Sequence, residues 1–181
     1  MTATGIFRLS DRVFSPWKNG GGQTAEIAVS PPGADFATFD WRISTAIVAA
    51  SGPFSTFPGV DRVLTVIEGG AMVLTIGADD SRLDALSEPF FFPGDLAAAA
   101  RLEGEALLDF NVMVRRPLRA QVLRGPLDPT HRRADTRARL ALLLEDRAGL
   151  ARLDLVDVEA AAPSLVAALV GGRVLDVQIS G

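Results

Sequence analysis

Short runs of β-forming residues, separated at regular intervals by turn residues, dominate the first 115 positions of this 181-residue chain. Glycine, proline and aspartate occupy the gaps, and almost no helical periodicity is present. Such spacing favours an all-β fold, an antiparallel sandwich or barrel. The predicted strands of this region are Ile6–Leu9, Ala25–Ser30, Trp41–Val48, Arg62–Glu68, Ala71–Ile76, Phe90–Phe92, Leu96–Leu102 and Ala106–Val114. Paired glycines between the fourth and fifth runs predict a hairpin at 68–71, because tight hairpin turns need positive φ.

Two of these strands carry polar residues opposite an apolar stripe. Period-two geometry places Arg42 and Ser44 on one side of their strand and Asp109 and Asn111 on one side of theirs. The polar sides either contact water, as antiparallel sheets allow, or line the interior of a curved sheet. Only a barrel or a similarly curved sheet would make them converge.

Residues 16–24 contain three consecutive glycines beside Trp17, Asn19, Thr24 and Lys18, the single lysine of the chain. Ordering glycine costs more backbone entropy than ordering any other residue, so the run indicates positive φ or a close backbone approach. The surrounding residue types are typical of the wall of a binding pocket. A flexible turn between two strands is the alternative.

The chain has no cysteine and one histidine, His131, which follows Pro129 and precedes two arginines. Zinc and iron sites draw most of their ligands from histidine and cysteine, so no metal site is predicted. A thiol nucleophile is excluded, and a Ser-His-Asp triad is disfavoured because those neighbours place His131 in a surface loop. The net charge of −4 argues against a nucleic-acid partner. Neither a secretory signal nor an apolar run of membrane-spanning length is evident, so we expect a cytoplasmic protein without a membrane partner.

The sequence changes character after residue 116. Residues 115–139 contain eight arginines and are interpreted as a solvated linker to a second module, or less readily as a site for an anionic partner. Residues 139–154 are compatible with a hairpin, whereas the alanine and leucine content of Thr136–Glu145 is compatible with an amphipathic helix. Val174–Ile179 is predicted as a strand, and Ala160–Val170 is left unassigned.

Several motifs occur in a fixed order along residues 16–116. They are Trp17-Lys18-Asn19-Gly20-Gly21-Gly22-x-Thr24, Trp41-Arg42-Ile43-Ser44, Gly52-Pro53-Phe54-Ser55-x-Phe57-Pro58-Gly59-x-Asp61-Arg62, Phe90-x-Phe92-x-Gly94-Asp95 and Asp109-Phe110-Asn111-x-Met113-x-Arg115-Arg116. This pattern resembles the HutD/Ves family of bacterial cupin-like proteins. The resemblance implies a bicupin, two antiparallel β-barrels in one chain. The expected domains are 1–116 and 117–181, with the second, smaller barrel sharing strands with the first, and strand replaces helix at Thr136–Glu145.

The family resemblance also implies a function in bacterial histidine utilisation. We expect a small-molecule-binding protein that regulates or buffers the pathway by binding a small carboxylate such as urocanate or formylglutamate. Many cupins hold a metal through histidines, but this barrel region has none, so no cofactor is expected. The rivals are a cupin-fold isomerase or lyase, with Asp109 or Glu68 as acid and base, and a protein-docking scaffold that uses residues 115–139. The sequence leaves a homodimer open, since a long edge strand invites pairing.

A carboxylate ligand calls for a forked cation, and Arg62 is the first candidate because it opens a strand after a turn. Arg42 is the second candidate, with Asp109 as a structural partner. The alternative for Arg62 is a surface ion pair with Asp61 or Glu68. The predicted ligand-binding set, which contains no catalytic and no metal-binding residue, is Arg62, Trp17, Asn19, Arg42, Ser44 and Thr24. In it, Trp17 stacks on a ring or packs in the core, and Asn19 with the glycine amides donates to an anion.

Overall fold

A computed structural model describes residues 5–181 and shows an all-β protein with one short α-helix and one 3₁₀ turn at Leu9–Asp11. The strands are β1 (Ile6–Phe7), β2 (Ser15–Pro16), β3 (Gly22–Ser30), β4 (Trp41–Val48), β5 (Gly52–Phe54), β6 (Val60–Ile76), β7 (Asp79–Leu83), β8 (Phe90–Pro93), β9 (Ala98–Arg115), β10 (Arg119–Pro126), β11 (Thr136–Leu143), β12 (Leu155–Asp157) and β13 (Arg173–Ser180). The helix, α1, spans Pro163–Leu169. The predicted all-β class is confirmed.

The chain divides into two compact units. One is Val13–Arg116, and the other combines the described part of Met1–Arg12 with Pro117–Gly181. The sequence places a boundary after residue 116 but assigns the first twelve residues to the N-terminal domain. Of these, the described residues 5–12 lie in the other unit, because β1 pairs with β12, with Ile6 opposite Val156.

Val13–Arg116 contains an eight-stranded antiparallel sheet with the strand order β2-β3-β4-β9-β6-β7. Two short strands lie beside this path, since β5 pairs with β9 and β8 pairs with β6. The path does not return on itself within residues 5–181, so no closed barrel is found. The bicupin architecture therefore stays a prediction.

The predicted hairpin at 68–71 is wrong, because both glycines lie inside the continuous strand β6. Its partner β9 is likewise continuous, where the sequence predicts two strands. Register shifts between Val66 and Glu68 and around Gly69 mark bulges in the pairing. A Cβ on Gly69, at φ +89°, would lie 2.3 Å from the carbonyl oxygen of Ala106. The paired glycines are thus explained by close approach of two backbones rather than by a reversal of the chain.

The second unit contains a five-stranded antiparallel sheet with the order β1-β12-β11-β13-β10. Strand β11 covers most of Thr136–Glu145, so the helical alternative for that segment is wrong. Its residues 140–143 are buried on both sides of the sheet, and this tertiary burial overrides the local helix propensity of alanine and leucine. The unassigned stretch Ala160–Val170 contains α1, which starts at Pro163, where the fixed φ of proline suits a helix start.

Each unit has its own apolar core. The first is built around residues of β6, β9 and the flanking strands, including Leu64, Met72 and Leu107. The second packs α1, through Leu169, against Ala141 and Val174 of the five-stranded sheet. No helix in residues 5–181 has the length and apolar character required to cross a membrane.

Candidate functional site

The three central strands of the eight-stranded sheet bring polar side chains onto one side. Residues directly opposite one another in an antiparallel sheet share a side, so each register row runs across β4, β9 and β6. Successive rows on this side are Arg42–Met113–Arg62, Ser44–Asn111–Leu64 and Ala46–Asp109–Val66. We call the set Arg42, Ser44, Arg62, Asp109 and Asn111 the polar face. The rest of this side includes Leu64, Val66 and Phe92 of the apolar core, so the polar face lies within apolar surroundings.

Arg62 lies on β6 and is only 7% exposed, so the surface ion-pair interpretation of Arg62 is wrong. Three phenyl rings surround its guanidinium carbon, with centroids at 4.9 Å (Phe92), 5.5 Å (Phe57) and 5.6 Å (Phe54). Burial lowers the pKa of Arg62 to about 10, against the opposing attraction of Asp109. The guanidinium is therefore a buried cation that remains charged at neutral pH.

The hydrogen bonds of Arg62 are long. Its Nε donates to Asn111 Oδ1 at 3.4 Å and its Nη1 to the carbonyl of Ser55 at 3.5 Å. Both exceed the range of about 2.7–3.2 Å in which such bonds are strong. In the part of the chain that the structure describes, Arg62 has no carboxylate in ion-pair contact. A guanidinium has five N–H donors, so most of the donor capacity of Arg62 is available to a bound anion.

Asp109 lies on β9, in the row between Ala46 and Val66, and is 2% exposed. Burial raises its pKa to about 7, although Arg62 and the backbone amide of Ala46 act in the opposite direction. Its Oδ1 atom is buried and accepts no hydrogen bond from residues 5–181. An unpaired buried carboxyl oxygen is costly, so it is a candidate contact for a donor supplied by a ligand.

The predicted pair between Arg42 and Asp109 is wrong. Arg42 Nε donates to Glu26 Oε2 at 2.8 Å, and its Nη1 donates to Ser44 Oγ at 3.2 Å. The register explains this result, because Arg42 lies two rows away from Asp109 while β3 places Glu26 opposite Ser44. The ring of Phe36 lies 4.7 Å from the Arg42 guanidinium carbon. Within residues 5–181, Arg42 thus has a carboxylate partner and Arg62 has none.

Trp17 and Thr24 contact each other at one end of β3. The indole Nε1 donates to Thr24 Oγ1 at 2.7 Å, and the indole meets the ring of Phe54 edge to face at a centroid distance of 6.1 Å. A Cβ on Gly22 would lie 3.1 Å from the indole and 2.4 Å from the carbonyl oxygen of Ile47. Gly22 is therefore required for close packing, and Trp17 is partly buried against the core. Thr24 belongs to the same register row as Asp109, and Ala46 lies between the two residues.

Asn19 is exposed and stabilises the glycine turn. Its Oδ1 accepts the backbone N–H of Gly21 at 2.9 Å, and Gly20 has a φ of +73°. The positive φ indicated by the glycine run is thus present at Gly20, and the close approach is present at Gly22. The structure gives the Asn19 side chain a role within the turn.

Four of the eight arginines of residues 115–139 form ion pairs with neighbouring acids, among them Arg133 with Asp135. Arg116 pairs with Asp61 and Asp95, whereas Arg132 pairs with Glu159. Arg139 is buried and forms a two-bond pair with Asp176, at 3.0 and 2.7 Å. These pairs weaken the case for the segment as a docking site for an anionic partner. His131 lies here and is exposed, as its neighbours predict.

Sequence reasoning missed the phenyl rings that surround the polar face. Phe54, Phe57 and Phe92 belong to the ordered motifs of residues 16–116, and Phe92 also packs in the apolar core. No motif of the sequence includes Phe36. Its ring stacks on the ring of Phe57 at a centroid distance of 5.5 Å. Across residues 5–181, no group of three or more His, Cys, Asp and Glu side chains is arranged to hold a metal ion.

Comparisons with known proteins point to one family. The sequence model of the HutD family matches residues 9–169. Protein Ves of Citrobacter koseri is 44% identical over 102 residues, which make up 55% of this chain and 52% of that protein. The matches cover between 51% and 64% of the curated relatives, so the chain spans about half to two thirds of their length.

Two solved structures are similar over nearly the whole chain. HutD from Pseudomonas fluorescens SBW25, in its formate condition, superposes with a TM-score of 0.74 at 31% identity, covering 97% of both chains. A conserved protein of unknown function from Pseudomonas aeruginosa PAO1 superposes with a TM-score of 0.69 at 30% identity, covering 97% of this chain and 91% of that one.

Proposed function

The chain belongs to the HutD family, and on that premise we propose that it binds a small carboxylate metabolite and thereby regulates or buffers histidine utilisation. Urocanate and formylglutamate are the candidate ligands, as the family resemblance implies. The binding groups are side chains of the polar face rather than a metal centre, because a single exposed histidine and no cysteine are available.

The buried guanidinium of Arg62, which has no carboxylate partner among residues 5–181, is the observation that supports this proposal. A buried cation without an anionic partner costs free energy, and a bound carboxylate supplies the missing charge. A guanidinium accommodates a carboxylate with two parallel charge-assisted bonds, each stronger than a neutral hydrogen bond. The three surrounding rings fix the orientation of the guanidinium and exclude water from it, which strengthens those bonds.

The other predicted site residues have more limited parts in this proposal. Arg42 is already paired with Glu26, so it contributes positive potential more than a free fork. Ser44, which accepts from Arg42, and Thr24, which accepts from Trp17, line neighbouring rows and orient those two side chains. Asn19 holds the glycine turn in place.

Ligand-induced stabilisation tests the proposal. At about a hundredfold excess over the Kd, a ligand stabilises the folded state by about 2.7 kcal/mol, which corresponds to about 5–10 °C in melting temperature for a chain of this size. We expect such a shift with urocanate or N-formylglutamate in the wild type. Arg62→Met should lose most of the shift, while Arg82→Met, which removes an exposed arginine of the same sheet, should keep it.

Each melting temperature is compared with that of the same variant without ligand, so a change in basal stability cancels. A shift that survives unchanged in Arg62→Met would remove Arg62 from the site. No shift with either metabolite in the wild type would contradict the carboxylate-binding function and favour a scaffold.

A second candidate function is a cupin-fold isomerase or lyase, and Asp109 is the observation that favours it. A carboxyl whose pKa is raised to about 7 within the field of Arg62 has the property expected of a general acid or base. Incubating the protein with each metabolite and following the ligand by proton NMR separates the two functions. Conversion that disappears in Asp109→Leu would establish the enzyme, and an unchanged ligand spectrum would leave the binding protein.

A further inference from the structure

The carboxylate site at Arg62 leaves one buried ionisable group of the polar face without a role. Asp109 is 2% exposed, and its Oδ1 has no hydrogen-bond partner among residues 5–181. The side chains of its row neighbours Ala46 and Val66 have no donors, although the backbone amide of Ala46 acts on the carboxyl. Burying a carboxyl oxygen in such surroundings is costly unless a donor reaches it. A donor from a bound molecule would satisfy that oxygen.

Asp109 and Arg62 are placed to contact opposite ends of one small molecule. The Nε of Arg62 points to Asn111 Oδ1, so the guanidinium lies at the level of the Asn111 row. Asp109 occupies the next row on the same side of β9. Alternate residues of a strand are about 7 Å apart, so the two groups lie close enough to contact one small molecule.

We propose that Asp109 is the second recognition group of the site and accepts a hydrogen bond from an N–H group of the ligand whose carboxylate binds Arg62. This inference rests on the proposed function. It defines the ligand class as small carboxylates that also carry an N–H donor. Urocanate and N-formylglutamate both have a carboxylate and an N–H group. Each ionisable side chain of the polar face then has a partner: Arg42 has Glu26, Arg62 has the ligand carboxylate, and Asp109 has the ligand N–H group.

Isothermal titration calorimetry with matched probes tests the inference. One pair is urocanate and 3-(2-furyl)acrylate, which has a similar shape but no N–H; the other is N-formylglutamate and glutarate. We expect the wild type to prefer the N–H member of at least one pair by about 10-fold to 100-fold, the range for a hydrogen bond to a charged group. In Asp109→Leu the preference should fall to about twofold or less, with the probe that lacks N–H binding as well as before.

Thr65→Val is the matched control. Thr65 also has a buried side-chain oxygen without a partner among the described residues, but it lies on the opposite side of β6, in the row of Phe110. Its removal should leave the preference intact. The conservative Asp109→Asn keeps an acceptor oxygen and should retain part of the preference.

The outcomes separate this inference from the function on which it rests. Equal affinities within both pairs in the wild type, or a preference that persists in Asp109→Leu, would overturn the inference and leave carboxylate binding in place. Binding of every probe that is unaffected by Arg62→Met would overturn the proposed carboxylate site. Absence of binding by all four probes would overturn both.

Discussion

Replacing Asp109 with asparagine should stabilise the protein, relative to the wild type, by an amount that grows as the pH rises. In the folded state the carboxyl is 2% exposed, and burial raises its pKa from the ordinary value of 3.8 to about 7. In the unfolded chain the same carboxyl is solvated and has the ordinary pKa. Asparagine keeps the shape of the side chain and cannot ionise.

The sign of the effect follows from proton binding. Between pH 3.8 and about 7 the folded state holds the proton of Asp109 and the unfolded state does not. The free energy of unfolding of the wild type therefore falls as the pH rises, by up to about 1.4 kcal/mol per pH unit. The stability contributed by the bound proton is fully present below the unfolded pKa and is lost as the pH rises through that window.

The structure also sets the magnitude. Integrating the proton binding of Asp109 with pKa values of 3.8 and about 7 gives a loss of about 2–3 kcal/mol between pH 5 and pH 8. Arg62, with a pKa lowered only to about 10, stays charged across this range. Other acidic groups titrate equally in the wild type and in Asp109→Asn, so they cancel in the difference between the two proteins.

Urea unfolding at pH 5, 6, 7 and 8, without ligand, measures this difference. Trp17 and Trp41 are the two tryptophans, and both belong to the unit Val13–Arg116, so their fluorescence reports on the sheet that contains Asp109. The stability of Asp109→Asn minus that of the wild type should increase by about 2–3 kcal/mol over the series. A difference that stays constant within about 0.5 kcal/mol would refute a buried carboxyl with a raised pKa.

Two further predictions concern packing and the second unit. Gly69→Ala should lower the free energy of unfolding by at least about 3 kcal/mol, because the new Cβ would clash with the carbonyl of Ala106. Gly104→Ala has the same φ of +89° but open space around the new Cβ, so it should lower the free energy of unfolding by about 1 kcal/mol. Equal losses for the two variants in urea unfolding would contradict a close backbone approach at Gly69. Arg139→Met should cost about 3–5 kcal/mol by leaving Asp176 buried and unpaired, and adding Asp176→Leu should recover much of that loss. Far-UV circular dichroism during unfolding measures the stability of the single and the double variant. A double variant no more stable than Arg139→Met would show that the unpaired charge of Asp176 does not cause the loss.

Strands such as β3 and β4, and the sides on which their residues lie, were predictable from the sequence, since alternation is a local property of extended chain. Arg42 and Ser44 lie on one side of β4, and Asp109 and Asn111 lie on one side of β9, as period-two geometry requires. The ordered motifs identified the family, which the matched model over residues 9–169 bears out. The glycine run indicated positive φ and close approach, and Gly20 and Gly22 provide them.

Which strands pair, and in which register, depends on contacts between residues far apart in sequence, and only the tertiary structure decided them. The sequence predicted a pair between Arg42 and Asp109. The register instead separates these two residues by two rows and places Arg42 within hydrogen-bond distance of Glu26. Local propensity predicted a turn at Gly69, whereas pairing with the long strand β9 keeps the chain extended at this residue. Burial likewise depends on the assembled sheet. Whether Arg62 is a surface charge or an enclosed cation depends on the rings of Phe54 and Phe57, which precede β6, and of Phe92 in β8.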